Sequence, residues 1–391
     1  MTQVVIVGAK RTAIGSFLGQ FTGVPTPVLG ATAMRAALES AGVSADQVDE
    51  VIMGCVLPAG LGQAPARQAA LGADIPTSAG CTTINKVCGS GMKAVMLGTD
   101  LIKAGSAKVV VAGGMESMTN APHLLNNSRT GIRYGNATML DHMAWDGLTN
   151  PYDGNAMGIF GDATCKDYSL SREELDAYSA RSVERAQAAI AQYAFKTEIA
   201  AVTVSGRKGD VVVATDEEPG KIDTSKIPSL RAAFGKDGVL TAASSSKISD
   251  GAAALVLMGA DTAAELGAKP MANVVAHATH SQEPSQFTTA PIDAIRKVLD
   301  KAGWSVESVD LFEINEAFSC VSMAAIKDLG LDPEKVNVNG GAVALGHPIG
   351  ASGARLLVTL VHALQARGLK RGVASLCIGG GEATAVAVEL V

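Results

Sequence analysis

The sequence predicts an α/β protein built from two similar halves and an inserted segment. Strand-length apolar runs alternate with segments in which apolar residues recur every three or four positions, a pattern typical of layered α/β folds. Three stretches of the first third of the chain have counterparts about 261 to 266 residues later. Between the halves, from about 120 to 250, Asn, Asp, Gly and Met become frequent and the alternation fades.

The elements of the first half follow from periodicity and punctuation. The pattern predicts strands and helices in the order strand 4–7, helix 28–40, strand 48–56, helix 64–71, helix 92–104 and strand 108–112. Ala41-Gly42 ends the first helix, and Gly105 is placed for a left-handed cap on the third. Inside the inserted segment, Ser171 caps a helix that runs to about Gln192.

The internal repeat defines the domains. Val48–Ile52 corresponds to Val309–Glu313, the glycine-rich helix start after Cys88 corresponds to 349–353, and 109–114 corresponds to 374–380. We therefore expect an N-terminal half formed by 1–119 plus about 250–269, an inserted loop domain over 120–249, and a C-terminal half over 270–391. Strand ends and helix starts commonly carry chemistry in such units.

Composition excludes several functional classes. The 391 residues are 47% apolar and 4% aromatic, with 43 glycines and a net charge of −6, and the basic residues form no patch for nucleic acid. None of the six cysteines forms a C-x-x-C pair, which argues against a zinc ribbon or a disulfide framework and favours reduced thiols in the cytoplasm. No apolar run approaches membrane-spanning length, and the N-terminus has the pattern of neither a signal nor a transit peptide.

Cys88 is the first candidate reactive group. It lies just before a predicted helix, next to Gly89 and Gly91, where unpaired backbone N–H groups and the helix dipole favour a thiolate. The alternative is a buried structural cysteine. Residues 89–94 also fit the G-x-G-x-x-A dinucleotide pattern, but the polar residues before them do not form the strand that this pattern requires.

Three more candidates occupy equivalent ends in the second half. His347 precedes the repeated helix start, Cys377 ends the repeated strand, and Asn315 follows the strand that begins near Val309. A core role is the usual default for one histidine, but His347 lies between Gly346 and Pro348 on a loop with little to bury. A histidine can activate a cysteine nucleophile, and a second cysteine can transfer protons.

Four segments carry a resemblance to a known family. NKVCGSGMKAV, NEAF, GGAVALGHPIGASG and CIGGG resemble the four catalytic loops of the thiolase superfamily in sequence, order and spacing. The similarity covers essentially the whole chain, and VVVAGGMESM, PARQAA and SDGAAALVLM are most similar to the biosynthetic type, acetyl-CoA C-acetyltransferase. The resemblance implies the thiolase fold, in which two duplicated α/β halves pack as αβαβα layers with an inserted loop domain.

The resemblance also implies a role for each candidate. Cys88 takes the acetyl group, and the N–H groups of Cys88 and Gly379 hold the acyl oxygen. His347 activates Cys88 and, with a water held by Asn315, forms a second oxyanion hole. Cys377 removes the α-proton of the second acetyl-CoA. Coenzyme A is expected as substrate and product, without a tightly bound cofactor or metal, near Leu148, Met157, Lys226, Phe234, Ser246 and Phe318.

Two alternatives to acetyl-CoA condensation stay open. A 3-ketoacyl-CoA thiolase for longer chains is one, because Ala156 and Gly161-Asp162 replace the histidine and the glutamate-asparagine pair of many biosynthetic thiolases. A non-catalytic, lipid-carrying relative is the other, although it would be expected to lack Cys88, His347 or Cys377. The resemblance further implies a homo-oligomer, a dimer or a dimer of dimers, with acyl-CoA substrates as its partners and no membrane or nucleic acid.

Overall fold

A computed structural model describes residues 2–207 and 209–391. Met1 of the predicted N-terminal half and Lys208 of the predicted insertion lie outside them. The strands are β1 (Val4–Thr12), β2 (Gly15–Ser16), β3 (Glu50–Gly54), β4 (Gly80–Ile84), β5 (Val109–Ser117), β6 (His123–Leu125), β7 (Met139–Asp141), β8 (Ile199–Ala200), β9 (Val202–Val204), β10 (Val211–Val213), β11 (Ser249–Gly259), β12 (Ala272–Ser281), β13 (Leu311–Ile314), β14 (Arg371–Ile378) and β15 (Glu382–Leu390).

The helices follow the predicted pattern closely. They are α1 (Thr26–Ala41), α2 (Pro65–Gly72), α3 (Ser90–Lys103), α4 (Met157–Asp167), α5 (Arg172–Ala191), α6 (Ala260–Leu266), α7 (Ala290–Ala302), α8 (Ser319–Leu329), α9 (Ala342–Leu345) and α10 (Ser352–Arg367). Gly42 caps α1 with a left-handed φ of 66°. Ser171 and Glu174 form a capping box at the start of α5, so both predicted boundaries are confirmed.

The main sheet repeats one strand pattern. Its order is β13-β14-β15-β12-β1-β11-β5-β3-β4, and β2 and β8 pair at its side. In the first half, β3 is parallel to β4 and β5, and antiparallel pairs then join β5, β11 and β1. In the second half, β13 is parallel to β14, antiparallel pairs join β14, β15 and β12, and Val336 bridges Phe312 where β4 would lie. The predicted duplication is thus present in the topology.

Three apolar clusters separate the layers. Successive side chains of β5 point to opposite faces of the sheet. Val109 and Val111 pack with α1 and α2, whereas Val110 and Ala112 pack with α3 and α10. A third cluster joins α7 and α8 to the outer face of the second half. The helices α3 and α10 therefore lie between two sheet portions that carry further helices outside, which confirms the αβαβα prediction.

The two central helices meet through glycines at their first turns. A Cβ at Gly91 would lie 2.9 Å from the backbone nitrogen of Ala354 and 3.0 Å from the carbonyl oxygen of Gly350. A Cβ at Gly114 would overlap the same Gly350 oxygen, and one at Gly353 would meet Met92. The glycines thus allow the reactive ends of the two halves to approach each other.

The segment between β5 and β11 lies mostly outside the main sheet. It contains the β6–β7 hairpin, the helices α4 and α5, the β9–β10 hairpin and several short turns, and only β8 within it pairs with β1. The strand β11 then returns between β1 and β5. The division at residues 119 and 250 stays a prediction.

One detail of the predicted repeat is wrong. The sequence equates Gly113-Gly114 with Gly379-Gly380, but the strand pairing places Val110 beside Glu50 and Gly372 beside Leu311. Glycines 113 and 114 therefore lie inside β5, whereas Gly379 follows the end of β14. The doublets look alike in sequence, but Gly113-Gly114 permits close backbone approach within the sheet and Gly379-Gly380 forms a turn.

Within the described residues, no helix is long and apolar enough to cross a membrane.

Candidate active site

Cys88 is presented by a tightly held loop. Asn85 Oδ1 accepts the Val87 N–H at 2.8 Å, and Ser90 Oγ accepts the Lys86 N–H at 2.8 Å. Val87 has a left-handed φ of 45°, a strained conformation for a β-branched residue, directly before the half-buried Cys88. Because α3 begins at Ser90, the thiol lies at a helix start as predicted.

The orientation and tautomer of His347 are set by its neighbours. Its backbone N–H donates to the Lys247 carbonyl at 3.0 Å, and its Nδ1 lies 2.5 Å from Ser352 Oγ. Ser352 uses its hydroxyl proton to reach the Pro348 carbonyl at 2.9 Å, so Nδ1 must be the donor to Ser352. The proton therefore resides on Nδ1, and Nε2 keeps a lone pair that can accept a proton.

Asn315 faces that lone pair. Its Nδ2 donates to His347 Nε2 at 3.4 Å, and its backbone N–H bonds the Ser375 carbonyl at 3.0 Å, which fixes the turn after β13. The side chain is fully buried, yet its Oδ1 has no hydrogen-bond partner within the described residues. A buried amide oxygen without a partner is unfavourable, so this geometry suits a polar ligand or a water beside His347.

The end of β14 brings Cys377 and Gly379 to Cys88. The N–H groups of Gly379 and of Cys88 itself face the Cys88 sulfur, and the Cys88 thiol is near enough to raise the pKa of Cys377 electrostatically. Two backbone donors thus converge where an acyl group on Cys88 would hold its oxygen. This is the arrangement of an oxyanion hole.

Burial dominates the electrostatics of these groups. It raises the pKa of Cys88 to about 11, against the two backbone donors, and the Glu116 carboxyl adds to the rise. Burial also raises the pKa of Cys377 well above its usual range and, together with the charge of Arg355, lowers the pKa of His347 to about 3. Loss of water on burial therefore opposes the thiolate that the helix start favours at Cys88. Thiol and imidazole are both neutral at rest.

An inner cavity of about 280 Å³ opens beside His347. It gathers most of the residues that the sequence assigns to coenzyme A, together with Lys247 and apolar neighbours. Its lining includes Leu148, Met157, Phe234, Ser246, Phe318 and Ile349. The T-shaped pair of Phe234 and Phe318, with ring centres 5.7 Å apart, forms one wall.

Lys226 lies apart from this group. It lines an outer cavity of about 230 Å³ together with Lys221, Asp223 and Leu230, is largely exposed, and pairs with Asp223 at 3.4 Å. Lys247 lines both the inner and the outer cavity. The structure therefore places Lys226 beyond Lys247, outward from His347.

A side cavity of about 260 Å³ lies on the other flank of the thiol. Val87, Trp145, Tyr152, Gly379 and Gly380 line it, and Met157 is shared with the inner cavity. The side chains of Trp145 and Tyr152 are more than half exposed. Its lining includes Val87, the residue before Cys88, and Gly379, whose N–H faces the Cys88 sulfur. The cavity is therefore placed to receive a group bound to Cys88.

Sequence reasoning missed several supporting residues. Ser352, which sets the His347 tautomer, occupies the position in the repeat that Ser90 holds in the first half, and this correspondence could have identified it. Buried Glu116 accepts N–H bonds from Val56 at 2.9 Å, Leu57 at 3.1 Å and Gly350 at 2.9 Å. It thereby ties the loop after His347 to the first half, and burial raises its pKa to about 7.

The sequence also contains a His277-x-x-His280 pair, whose spacing occurs in metal sites, but the structure gives both histidines other partners. Both histidines lie on β12 and bond Asp100 at 3.0 Å and Gln282 at 3.0 Å, respectively. Across residues 2–207 and 209–391, no group of three or more His, Cys, Asp and Glu side chains is arranged to hold a metal ion.

Comparison with known proteins identifies the family. The N-terminal domain model of thiolase matches residues 4–261, and the C-terminal domain model matches 268–390. The chain belongs to the thiolase family. The acetyl-CoA acetyltransferase of Chromobacterium violaceum is 50% identical over 389 residues, 99% of each chain. The family predicted from the catalytic loops is thereby confirmed.

Solved thiolase structures agree with the fold. The acetyl-CoA acetyltransferase of Bacillus anthracis superposes with a TM-score of 0.97 at 40% identity, over 100% of this chain and 99% of the other. A thiolase of Ascaris suum in complex with coenzyme A has a TM-score of 0.94 at 44% identity, over all of both chains. The relatives' names agree with the acyltransferase activity expected from the sequence.

Proposed function

We propose that the protein is an acetyl-CoA C-acetyltransferase that reversibly condenses two acetyl-CoA into acetoacetyl-CoA and coenzyme A. Two contacts carry the proposal. Cys88 faces the Gly379 N–H and Cys377, and His347, which lines the inner cavity, faces Asn315. The chain belongs to the thiolase family, and relatives named acetyl-CoA acetyltransferase match it over 99% and 100% of its length, which supports the same activity.

The first half-reaction is the acetylation of Cys88. His347 Nε2 accepts the thiol proton as the sulfur attacks the thioester carbonyl, and the N–H groups of Cys88 and Gly379 stabilise the oxygen that becomes negative. Since thiol and imidazole are neutral at rest, proton transfer accompanies the attack. The leaving coenzyme A thiolate takes the proton of Cys377, so acetyl-Cys88, a protonated His347 and a Cys377 thiolate remain.

The second half-reaction forms the carbon–carbon bond. Cys377, in its thiolate form, removes the α-proton of a second acetyl-CoA, and its buried position beside acetyl-Cys88 suits that transfer. Protonated His347, through its Nε2–H, and a water held by Asn315 donate to the enolate oxygen. The enolate carbon then attacks the acetyl group and expels Cys88 as a thiolate, which takes its proton back from His347. Acetoacetyl-CoA is produced in ping-pong order, and both thiols and the imidazole are neutral again.

Coenzyme A lies along the inner and outer cavities in this proposal. The pantetheine arm contacts Leu148, Met157, Phe234, Ser246 and Phe318, most of which come from the proposed loop domain over 120–249. Lys226, which lines the outer cavity, gives up its ion pair with Asp223 and binds the phosphates of coenzyme A instead. The two cavities meet at Lys247, which supports a continuous path for a long, linear ligand.

The decisive experiment follows free thiol and the acyl-enzyme together. Purified protein with acetoacetyl-CoA and coenzyme A is expected to consume the ketoacyl thioester, and radiolabelled acetyl-CoA is expected to label Cys88 alone. Cys88→Ser is the matched variant, because it removes the nucleophile with one atom changed. Turnover without label on Cys88, or label that persists in Cys88→Ser, would contradict the mechanism.

Cleavage of longer 3-ketoacyl-CoA substrates is the second candidate, and the side cavity favours it. Its volume of about 260 Å³ exceeds what an acetyl group requires, and it opens next to Val87 and Gly379. Comparing kcat/KM for acetoacetyl-CoA and 3-ketodecanoyl-CoA separates the candidates. Equal or greater activity on the longer substrate would replace the first assignment.

We also propose a homo-oligomer, such as a dimer of dimers. The segment joining β6 and β7 exposes Ile132 and Tyr134, of which Tyr134 is fully exposed in the isolated chain, and Met139 at the start of β7 is exposed as well. Apolar side chains clustered in this way are typical of contact surfaces. Sedimentation as a monomer at micromolar concentration would overturn this proposal.

A further inference from the structure

Lys247 occupies an unusual position for a cation. It is the residue that lines both the inner cavity beside His347 and the outer cavity that contains Lys226. Its carbonyl accepts the His347 N–H at 3.0 Å and the Ser249 hydroxyl at 2.8 Å, so its backbone is fixed relative to the imidazole. A linear ligand that reaches from the thiols to the outer cavity must pass this side chain.

The ammonium group is held in place with donor capacity to spare. Its Nζ donates to the Ala242 carbonyl and, at 3.0 Å, to the Ser245 carbonyl. An ammonium has three N–H donors, and its two carbonyl partners use two of them. The third donor is therefore available at the boundary between the cavities.

The direction of the side chain decides which part of a ligand it meets. Of the two residues whose carbonyls hold Nζ, Ala242 lines the outer cavity and Ser245 lines the inner one, whereas the Lys247 backbone adjoins His347. The side chain thus places its charge where the two cavities meet. An acyl group bound near Cys88 lies at the other end, so the partner is an oxygen of the arm that leads outward.

We propose that Lys247 is a substrate-binding residue that donates a charge-assisted hydrogen bond to the outer amide carbonyl of the pantetheine arm. This inference rests on the proposed use of acyl-CoA substrates and adds a specific contact to it. Burial, opposed by the carboxylates of Glu218 and Glu316, lowers the pKa of Lys247 to about 8, so the group is still mostly charged at neutral pH. A partly desolvated cation binds a carbonyl more strongly than an exposed lysine does.

Three acetyl thioesters of decreasing length provide the test. Single-turnover acetylation of Cys88 is measured with acetyl-CoA, S-acetylpantetheine and S-acetyl-N-acetylcysteamine, the last of which lacks the outer amide. For Lys247→Met, we expect the half-saturating concentration of the two longer donors to rise about tenfold, the effect of one lost charged hydrogen bond. The maximal rate and the response to the shortest donor are expected to stay within about twofold of wild type.

Controls separate this contact from a structural effect. Lys269→Met removes an exposed cation outside the cavities and is expected to behave as wild type. Lys247→Gln keeps N–H donors without the charge and is expected to fall between wild type and Lys247→Met. A disturbed loop would also slow acetylation by the shortest donor, since His347 is bonded to the Lys247 carbonyl.

Four results would overturn the inference. The half-saturating concentration could be unchanged for every donor, or it could rise equally for all three. It could rise for acetyl-CoA alone, which would place the contact at the phosphates. Finally, the maximal rate alone could fall. A wild-type protein that no acetyl thioester acetylates would instead refute the proposed function itself.

Discussion

Replacing Ser352 by alanine tests whether the His347 tautomer supports catalysis. In Ser352→Ala the buried Nδ1–H loses its 2.5 Å acceptor. A buried donor without a partner costs about 1–3 kcal/mol. The imidazole can avoid that cost by moving the proton to Nε2, but it then loses the lone pair that accepts the Cys88 proton. Either outcome slows acetylation of Cys88, by about 5-fold to 150-fold.

The assay is the rate of Cys88 acetylation by saturating acetyl-CoA, measured by quenched incorporation of label. Thr99→Val is the matched control, because it also removes a buried hydroxyl bond, the 2.9 Å contact to the Val95 carbonyl, away from the imidazole. Both variants lose a buried hydroxyl that donates to a backbone carbonyl, but only Ser352→Ala also loses the bond to the imidazole. If Ser352→Ala acetylates as fast as Thr99→Val, or if only its half-saturating concentration changes, the tautomer argument is refuted.

Further predictions test the two thiols and the helix contact. Cys377→Ala is expected to accept label on Cys88 while condensation and cleavage fall by about 10²–10⁴; loss of labelling, or label on Cys377 in wild type, would mean that the roles are assigned wrongly. Because the pKa of Cys88 is raised to about 11, the resting enzyme's alkylation by iodoacetamide, corrected with Cys88→Ser, is expected to rise about tenfold per pH unit from pH 7 to 10, and a plateau starting near pH 7 would contradict the burial argument. Gly91→Ala is expected to lower the free energy of unfolding by about 1–3 kcal/mol in urea titrations, because the new methyl group overpacks against Ala354. Gly220→Ala serves as the control, since a Cβ there meets nothing within 4 Å. Equal stability of the two variants would argue against close contact between α3 and α10.

The fold was predictable because its signals are local and duplicated. Alternating strand and helix periods, the Gly42 cap and the Ser171 capping box all act within a few residues, and the repeat doubled the evidence for the three stretches that recur. The short parallel bridge at Val336 escaped notice because one residue carries no periodicity. The glycine doublets were misaligned because sequence likeness does not reveal strand register.

The site was predictable in its members but not in its electrostatics. Motif order singled out Cys88, His347, Asn315 and Cys377, and the structure pairs Cys88 with Cys377 and His347 with Asn315. The resting charge of Cys88 could not be inferred, since the depth of burial depends on loops distant in sequence. Lys247 was missed for the same reason: its neighbours Ala242 and Ser245 are local, but its position between two cavities appears only after folding.

The glycine contact between α3 and α10 also determines where this enzyme is free to diverge. Side chains cannot be enlarged at Gly91, Gly114 or Gly353 without moving the backbone of the opposite half. The walls of the side cavity impose no such constraint, because Trp145 and Tyr152 are exposed at its rim. New acyl preferences can therefore be acquired, by selection or by library design, through the loop segment while the condensation chemistry is inherited unchanged.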